Sequence, residues 1–104
     1  MNMWDIYHNY LKDNNITYSE YILSDHWKDV RTKFYTSRKN KWKCDACKSK
    51  KDLNIHHKTY ERIGRELLED LCLLCSICHN KIHSTYKYKR NEFSLLEVTE
   101  NFIL

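Results

Sequence analysis

Apolar and polar positions alternate along this chain with two different periods. Near the start, Trp4, Tyr7 and Leu11 fall three and four apart, which predicts a short amphipathic helix that ends near Asn14-Asn15. The stretch from Tyr18 to Leu23 is rich in Tyr and Ile, and reads as extended chain or as an approach to the next helix. Ser24 then stands as an N-cap with Asp25 behind it in the first turn. The helix it opens, over 25–37, sets Trp27, Val30, Arg31 and Phe34 on one stripe, with Trp27 and Phe34 as core contacts. Lys28, Arg31, Lys33 and Arg38 lie on or beside its exposed side. From Leu53 to His57 the period shortens to two, which predicts a strand with Leu53 and Ile55 inward. His57 shares their side and His56 takes the opposite one. A loop over 58–68 holds the only glycine, Gly64, and leads to a second strand from Asp70 to Leu74. A helix from Cys75 to about Lys87, started by Ser76, follows. The tail over 91–104 carries Leu95, Leu96, Val98, Phe102 and Ile103 and folds back on the core, with no conformation assigned. The fold class expected is α+β, in one domain. Residues 1–40 form a helical N-terminal extension, 41–88 a core of two strands and a helix, and 89–104 a tail.

Composition narrows the setting. A chain of 104 residues and 12.8 kDa has a modest core, of the size that metals or disulfides commonly reinforce. Five cysteines, an odd number, and a polar start argue against a secreted disulfide framework. No apolar run approaches the roughly 20 residues needed to span a bilayer. The expectation is a cytoplasmic protein, away from membranes, with thiols reduced or metal-bound. Its net charge of +4 is unevenly spread. Ten Lys or Arg stand between Lys28 and Lys51 against two acids, while the first 27 residues carry four acids and one Lys. A basic block beside eight Tyr and three Trp suits a polyanionic partner, most simply nucleic acid, although a solvated Lys-rich face has the same composition.

The cysteines supply the first chemistry. Cys44-x-x-Cys47 and Cys75-x-x-Cys78 each put two thiolates within reach of one ion, and two such turns complete a tetrahedral four-sulfur shell, the usual structural zinc site. One pair alone would also fit a redox site. Cys72 stands three before Cys75 and leaves the register open on paper. Its place in Leu-Cys-Leu-Leu suits an inward strand position, where a free cysteine behaves as a small apolar side chain.

The histidines supply the second. His56 and His57, adjacent on a strand, point to opposite sides. His79 and His83, four apart on a helix, share a face. A helix packed on the strand would bring His56, His79 and His83 to a second ion, with positions left open as in a catalytic site.

With Leu53-x-Ile55-His56-His57, then Asp70-Leu71-x-x-Leu74-Cys75-x-x-Cys78-His79 and His83, the segment over 44–83 resembles the HNH nucleases, which share the ββα-metal fold. The resemblance implies a metal-dependent endonuclease acting on DNA, double-stranded above all. His57 would be the general base that activates water. His56 and His79 would hold a catalytic divalent cation (magnesium, manganese or nickel), with His83 a third ligand or a phosphate contact. Asp70 stands where the family usually has Asn, which braces the loop between the strands; Asp accepts hydrogen bonds but lacks the amide donors. Arg31, Lys33, Arg62 and Arg65 are the expected nucleic-acid contacts. Relatives of this size also imply a partner such as a phage DNA-packaging complex. The competing readings are a non-catalytic zinc module that binds nucleic acid and an accessory subunit of a packaging or restriction complex.

Overall fold

A computed structural model describes residues 2–39 and 41–104. Met1 lies outside the described residues, and so does Asn40, the expected boundary between extension and core. The order of elements is α1 (Met3–Asp13), α2 (Tyr18–Tyr21), α3 (Asp25–Ser37), β1 (Leu53–His57), a 3-10 turn (Leu68–Asp70), β2 (Leu71–Cys75), α4 (Ser76–Lys89) and α5 (Leu95–Ile103). The class is α+β, with one antiparallel pair of strands among the described residues. No described helix is long and apolar enough to cross a membrane.

Both faces of the β1–β2 pair are covered. Opposite partners run from Leu53 with Cys75 to His57 with Leu71. On one face Leu71 and Leu73 pack with Tyr21, Trp27, Val30, Phe34 and Ile63. On the other, Cys72 and Leu74 pack with Ile82, Leu95 and Val98. A strand buried on both sides has no use for a polar position, which is why β2 reads as the unbroken run Leu-Cys-Leu-Leu-Cys. β1 keeps its alternation, so His56 faces α4 and α5 while His57 faces α3. The inward placement expected for Trp27, Phe34 and Cys72 is what the structure has.

Several boundaries and one element differ from the sequence reading. β2 begins at Leu71, because Asp70 is held in the 3-10 turn, where its carboxylate accepts from the Leu67 N–H at 3.0 Å. α4 is capped by Cys75 instead of Ser76, its Sγ accepting from the Cys78 N–H. The segment at 18–21 is a short helix, started by a capping box between Thr17 and Glu20. The tail, unassigned from sequence, is helix α5, started by a second capping box between Ser94 and Glu97.

The face that carries His57 is organised by one buried acid. The Glu66 side chain is 1% exposed. It accepts from His57 Nε2 at 2.9 Å, from His26 Nε2 at 2.8 Å and from the Tyr21 hydroxyl. Tyr21 in turn accepts the Gly64 N–H at 3.1 Å. Gly64 sits at φ +86°, where a Cβ would run into the Tyr10 ring, so the loop needs glycine there. Burial alone would raise the Glu66 pKa. The hydrogen bonds from His57, His26 and Tyr21 outweigh that and hold it at about 2, below the ordinary 4.5.

A lowered carboxylate pKa stabilises the fold above the unfolded value, and the contribution is lost as pH falls through the folded one. Thermal melts should therefore show stability declining from about pH 4.5 toward pH 2 as Glu66 protonates. Glu66→Ala, which strands the buried donors of His57 and Tyr21, should cost about 3–5 kcal/mol at neutral pH, and Glu66→Gln should flatten the acid limb of the wild-type curve.

Candidate metal centre

Among the described residues, two groups of side chains that could hold a metal ion lie beside the strand pair. The first is Cys44, Cys47, Cys75 and Cys78, whose sulfurs all lie within 4.8 Å of one another. The turn over 44–47 docks on the edge of β2: the Asp45 N–H donates to the Leu73 carbonyl, and the Leu73 N–H donates back to Asp45 Oδ2, both at 2.8 Å. Arg38 grips the same carboxylate with two nitrogens, at 2.6 and 2.7 Å. The second turn is the junction of β2 and α4. The Cys47 and Cys75 sulfurs close the gap between the turns at 3.6 Å.

The electrostatics of this group call for a cation. Burial would raise the Cys44 pKa, but N–H groups of Cys47, Cys75 and Ala46 aimed at its sulfur bring it down to about 6. Cys78 is pushed up to about 12 by burial and by hydrogen bonds shared with the other three sulfurs. Four thiolates repel one another in so small a space. They can all be ionised only around a positive centre, and a four-sulfur tetrahedron suits zinc. Cys72 stays out of the group. It is 4% exposed, and burial pushes its thiol up to about 12, as expected of an apolar strand residue.

The second group is His56, His79 and His83, each with a ring nitrogen within 4.8 Å of the others'. The His56 ring centre lies 5.2 Å from that of His79 and 5.3 Å from that of His83. Across the helical turn, His79 and His83 bring their Nε2 atoms to 3.2 Å. His56 is buried, while the two helix histidines reach solvent. Burial lowers the pKa of His56 to about 3, with the neighbouring His79 and His83 adding to the effect. Burial also lowers those of His79 and His83. All three shifts favour the neutral ring, the form that binds a metal. His56 Nε2 lies 3.0 Å from the hydroxyl of Thr99, on α5. In the tautomer whose Nε2–H is given to Thr99, the ring keeps its lone pair on Nδ1.

His57 is not part of this group. It lies on the other face of the pair, 2% exposed, stacked between Trp27 at 4.9 Å and Tyr60 at 4.6 Å. Its Nε2 is engaged by Glu66. Asp70 is also buried, and its backbone carbonyl accepts the Lys58 N–H at 2.7 Å. Arg62, expected at a phosphate, instead forks onto the Asp70 carboxylate, with Nε to Oδ2 at 2.9 Å, because a buried acid needs a cationic partner. Asp70 thus ties the two ends of the inter-strand loop together. Arg65 is exposed, and Lys33 is exposed and paired with Asp29 at 2.9 Å. Arg31 is exposed beside the Tyr35 ring.

Glu66 and Thr99 were not found by sequence reasoning. Nothing marks Glu66 among the acids of its loop. Thr99 had a signal, since it follows Leu95 by four on a helix and so shares its buried side. No family model matches the chain, and comparison with curated proteins and with solved structures finds no match.

Replacing Cys75 with Ser removes a sulfur at the joint between strand and helix. The variant should bind zinc at least roughly tenfold more weakly than wild type and lose its cooperative melt, as should wild type stripped of metal in acid with chelator. Metal analysis alongside circular dichroism measures both effects.

Proposed function

We propose that this chain is a metal-dependent endonuclease of the HNH kind, built on a ββα-metal core, that hydrolyses phosphodiester bonds in DNA. The observation that carries the reading is the convergence of His56, from a strand, with His79 and His83, from a helix, next to a four-sulfur group. Three neutral nitrogens on a partly exposed face fit a divalent cation and leave coordination positions for substrate. Such an ion, magnesium, manganese or nickel, would polarise the scissile phosphate and stabilise charge on the leaving 3′ oxygen.

The chain's own groups have separable tasks. Thr99 fixes the orientation of His56 and the nitrogen it offers. The four cysteines, with zinc, hold α4 against the strands and so set the spacing of the imidazoles. Asp70, through Arg62 and the Leu67 N–H, braces the loop that carries Glu66. His57, as general base, would take a proton from the attacking water. Its Nε2–H is given to Glu66, leaving Nδ1 as the basic nitrogen, in the manner of an imidazole oriented by a carboxylate. In that role the ring must reach water from between Trp27 and Tyr60.

The burial of His57 is the specific observation that favours a second reading. If that ring is only a core residue, the chain is a zinc-stabilised module that binds nucleic acid without cutting it, alone or as an accessory subunit of a phage packaging or restriction complex. The two readings differ in vitro. With magnesium, manganese or nickel, purified protein should nick supercoiled plasmid, and EDTA should stop it. His79→Ala and His57→Gln should each lower the rate by roughly 10²-fold or more while the fold is retained. Thr99→Val should raise the cation concentration for half-maximal rate by roughly 10–100-fold with the same rate at saturation. Full nicking by His57→Gln would remove the base from the mechanism. Salt-dependent binding of DNA with no nicking would establish the second reading.

A further inference from the structure

Two adjoining clefts open on the surface, and one of them reaches His79. One, of about 810 Å³, is lined by Lys28, Arg31, Thr36, Tyr35, Trp42 and Leu53, among others. The next, of about 470 Å³, continues past Trp27, Asn54 and Ile55 to His79. Arg31, Tyr35 and Leu53 line both, so the clefts form one groove that ends at a residue of the imidazole group.

The walls of this groove are aromatic and cationic together. Trp42 is 47% exposed, more than an indole needs to be if its only task is packing. It is held at a fixed angle, its ring edge-on to Tyr35 at 5.5 Å and its Nε1–H donated to the Tyr35 carbonyl at 3.2 Å. The Arg31 guanidinium lies 5.6 Å from the Tyr35 ring centre, and Lys28 stands one turn earlier on the same helix. Lys39, Lys41 and Lys43 line a further basic hollow alongside. A polyanion is thereby the occupant that charge favours.

The aromatic surfaces choose between forms of that polyanion. In a duplex the base faces are already stacked on one another, and the outside offers phosphates and edges. An exposed indole and a half-buried phenol in a cleft gain nothing from a rod of phosphates. They gain from unpaired bases, whose faces are free to stack while the phosphates meet Arg31 and Lys28.

We infer that the groove from Trp42 to His79 binds unpaired, single-stranded DNA, so that the preferred substrate is a single strand or a duplex with an unpaired flank next to the cut. The inference deepens the nuclease reading by naming the form of its substrate, and it rests on that reading for the choice of DNA.

The test is fluorescence anisotropy of zinc-loaded protein with a labelled oligothymidylate, the same length of duplex, and an oligouridylate, in buffer without added magnesium, manganese or nickel. The expected result is at least tenfold tighter binding of the single DNA strand than of duplex. Trp42→Ala should lose about tenfold for single strand, the loss of one stacked base, while duplex binding changes far less and circular dichroism shows the fold retained. Arg31→Ala should lower the salt slope by about 0.7. Equal binding of duplex, no effect of Trp42→Ala, or preference for oligouridylate would overturn the inference. Because no cleavage is read, the two proposals fail separately. Plasmid nicking without single-strand preference sinks only the groove, and single-strand preference with no cleavage of either plasmid or single-stranded DNA in the presence of magnesium, manganese or nickel leaves the groove and sinks the nuclease.

Discussion

Four sulfur atoms from two distant turns share one small volume, and that crowding governs how the rest of the chain is arranged. The first turn has no helix or strand of its own to fix it. It is attached by the Asp45–Leu73 backbone and side-chain pair, by the Arg38 fork, and by the sulfurs themselves. The second turn is the point where β2 becomes α4. Bringing the two turns together fixes the direction in which α4 leaves the sheet, and with it where His79 and His83 arrive relative to His56. A zinc ion would relieve the thiolate repulsion and convert the crowding into a clamp. A chain of this size has little other means of holding three imidazoles in place.

The strand pair divides the remaining work between its faces. On the α4–α5 side are Thr99, His56 and the two helix histidines, with burial favouring the neutral rings. On the α3 side is a hydrogen-bonded knot centred on Glu66, which ties helix, loop and strand together through Tyr21, His26 and His57. The two adjacent histidines of β1 therefore live in different electrostatic settings: one among imidazoles, one against a carboxylate. Neighbouring identical residues acquire separate roles because a strand sends successive side chains to opposite faces.

Much of this was legible in the sequence, for reasons that lie in short-range rules. The 3.6-residue stripe of Trp27, Val30 and Phe34 and the two-residue alternation of Leu53 to His57 gave α3 and β1 their elements and their buried sides. The equal Cys spacings marked the sulfur group, and i,i+4 spacing put His79 with His83. What escaped depends on contacts between parts far apart in the chain. His57 was placed on the correct face, but its stacking between Trp27 and Tyr60 and its bond to Glu66 need the loop over 58–68 to be folded. In the sequence Arg62 looks like a phosphate contact, because the buried acid it serves, Asp70, is eight residues away with no periodic signal. The tail gave apolar residues without a visible start, though the Ser94–Glu97 capping box was there to be read. Trp42 and Tyr35 become a groove only once α3 and the segment before Cys44 are set side by side.

In the proposed arrangement two separate ion sites, one of sulfur and one of imidazole, flank the same pair of strands. X-ray absorption at the zinc and nickel edges, on protein loaded with one zinc and then titrated with nickel, reads both shells directly. Zinc should be surrounded by four sulfurs at about 2.3 Å and nickel by a shell of nitrogen and oxygen near 2.0–2.1 Å, with imidazole scattering weakened in His79→Ala. A mixed sulfur–nitrogen shell around zinc, or nickel that displaces zinc from the sulfurs without any nitrogen-ligated fraction, would contradict that arrangement.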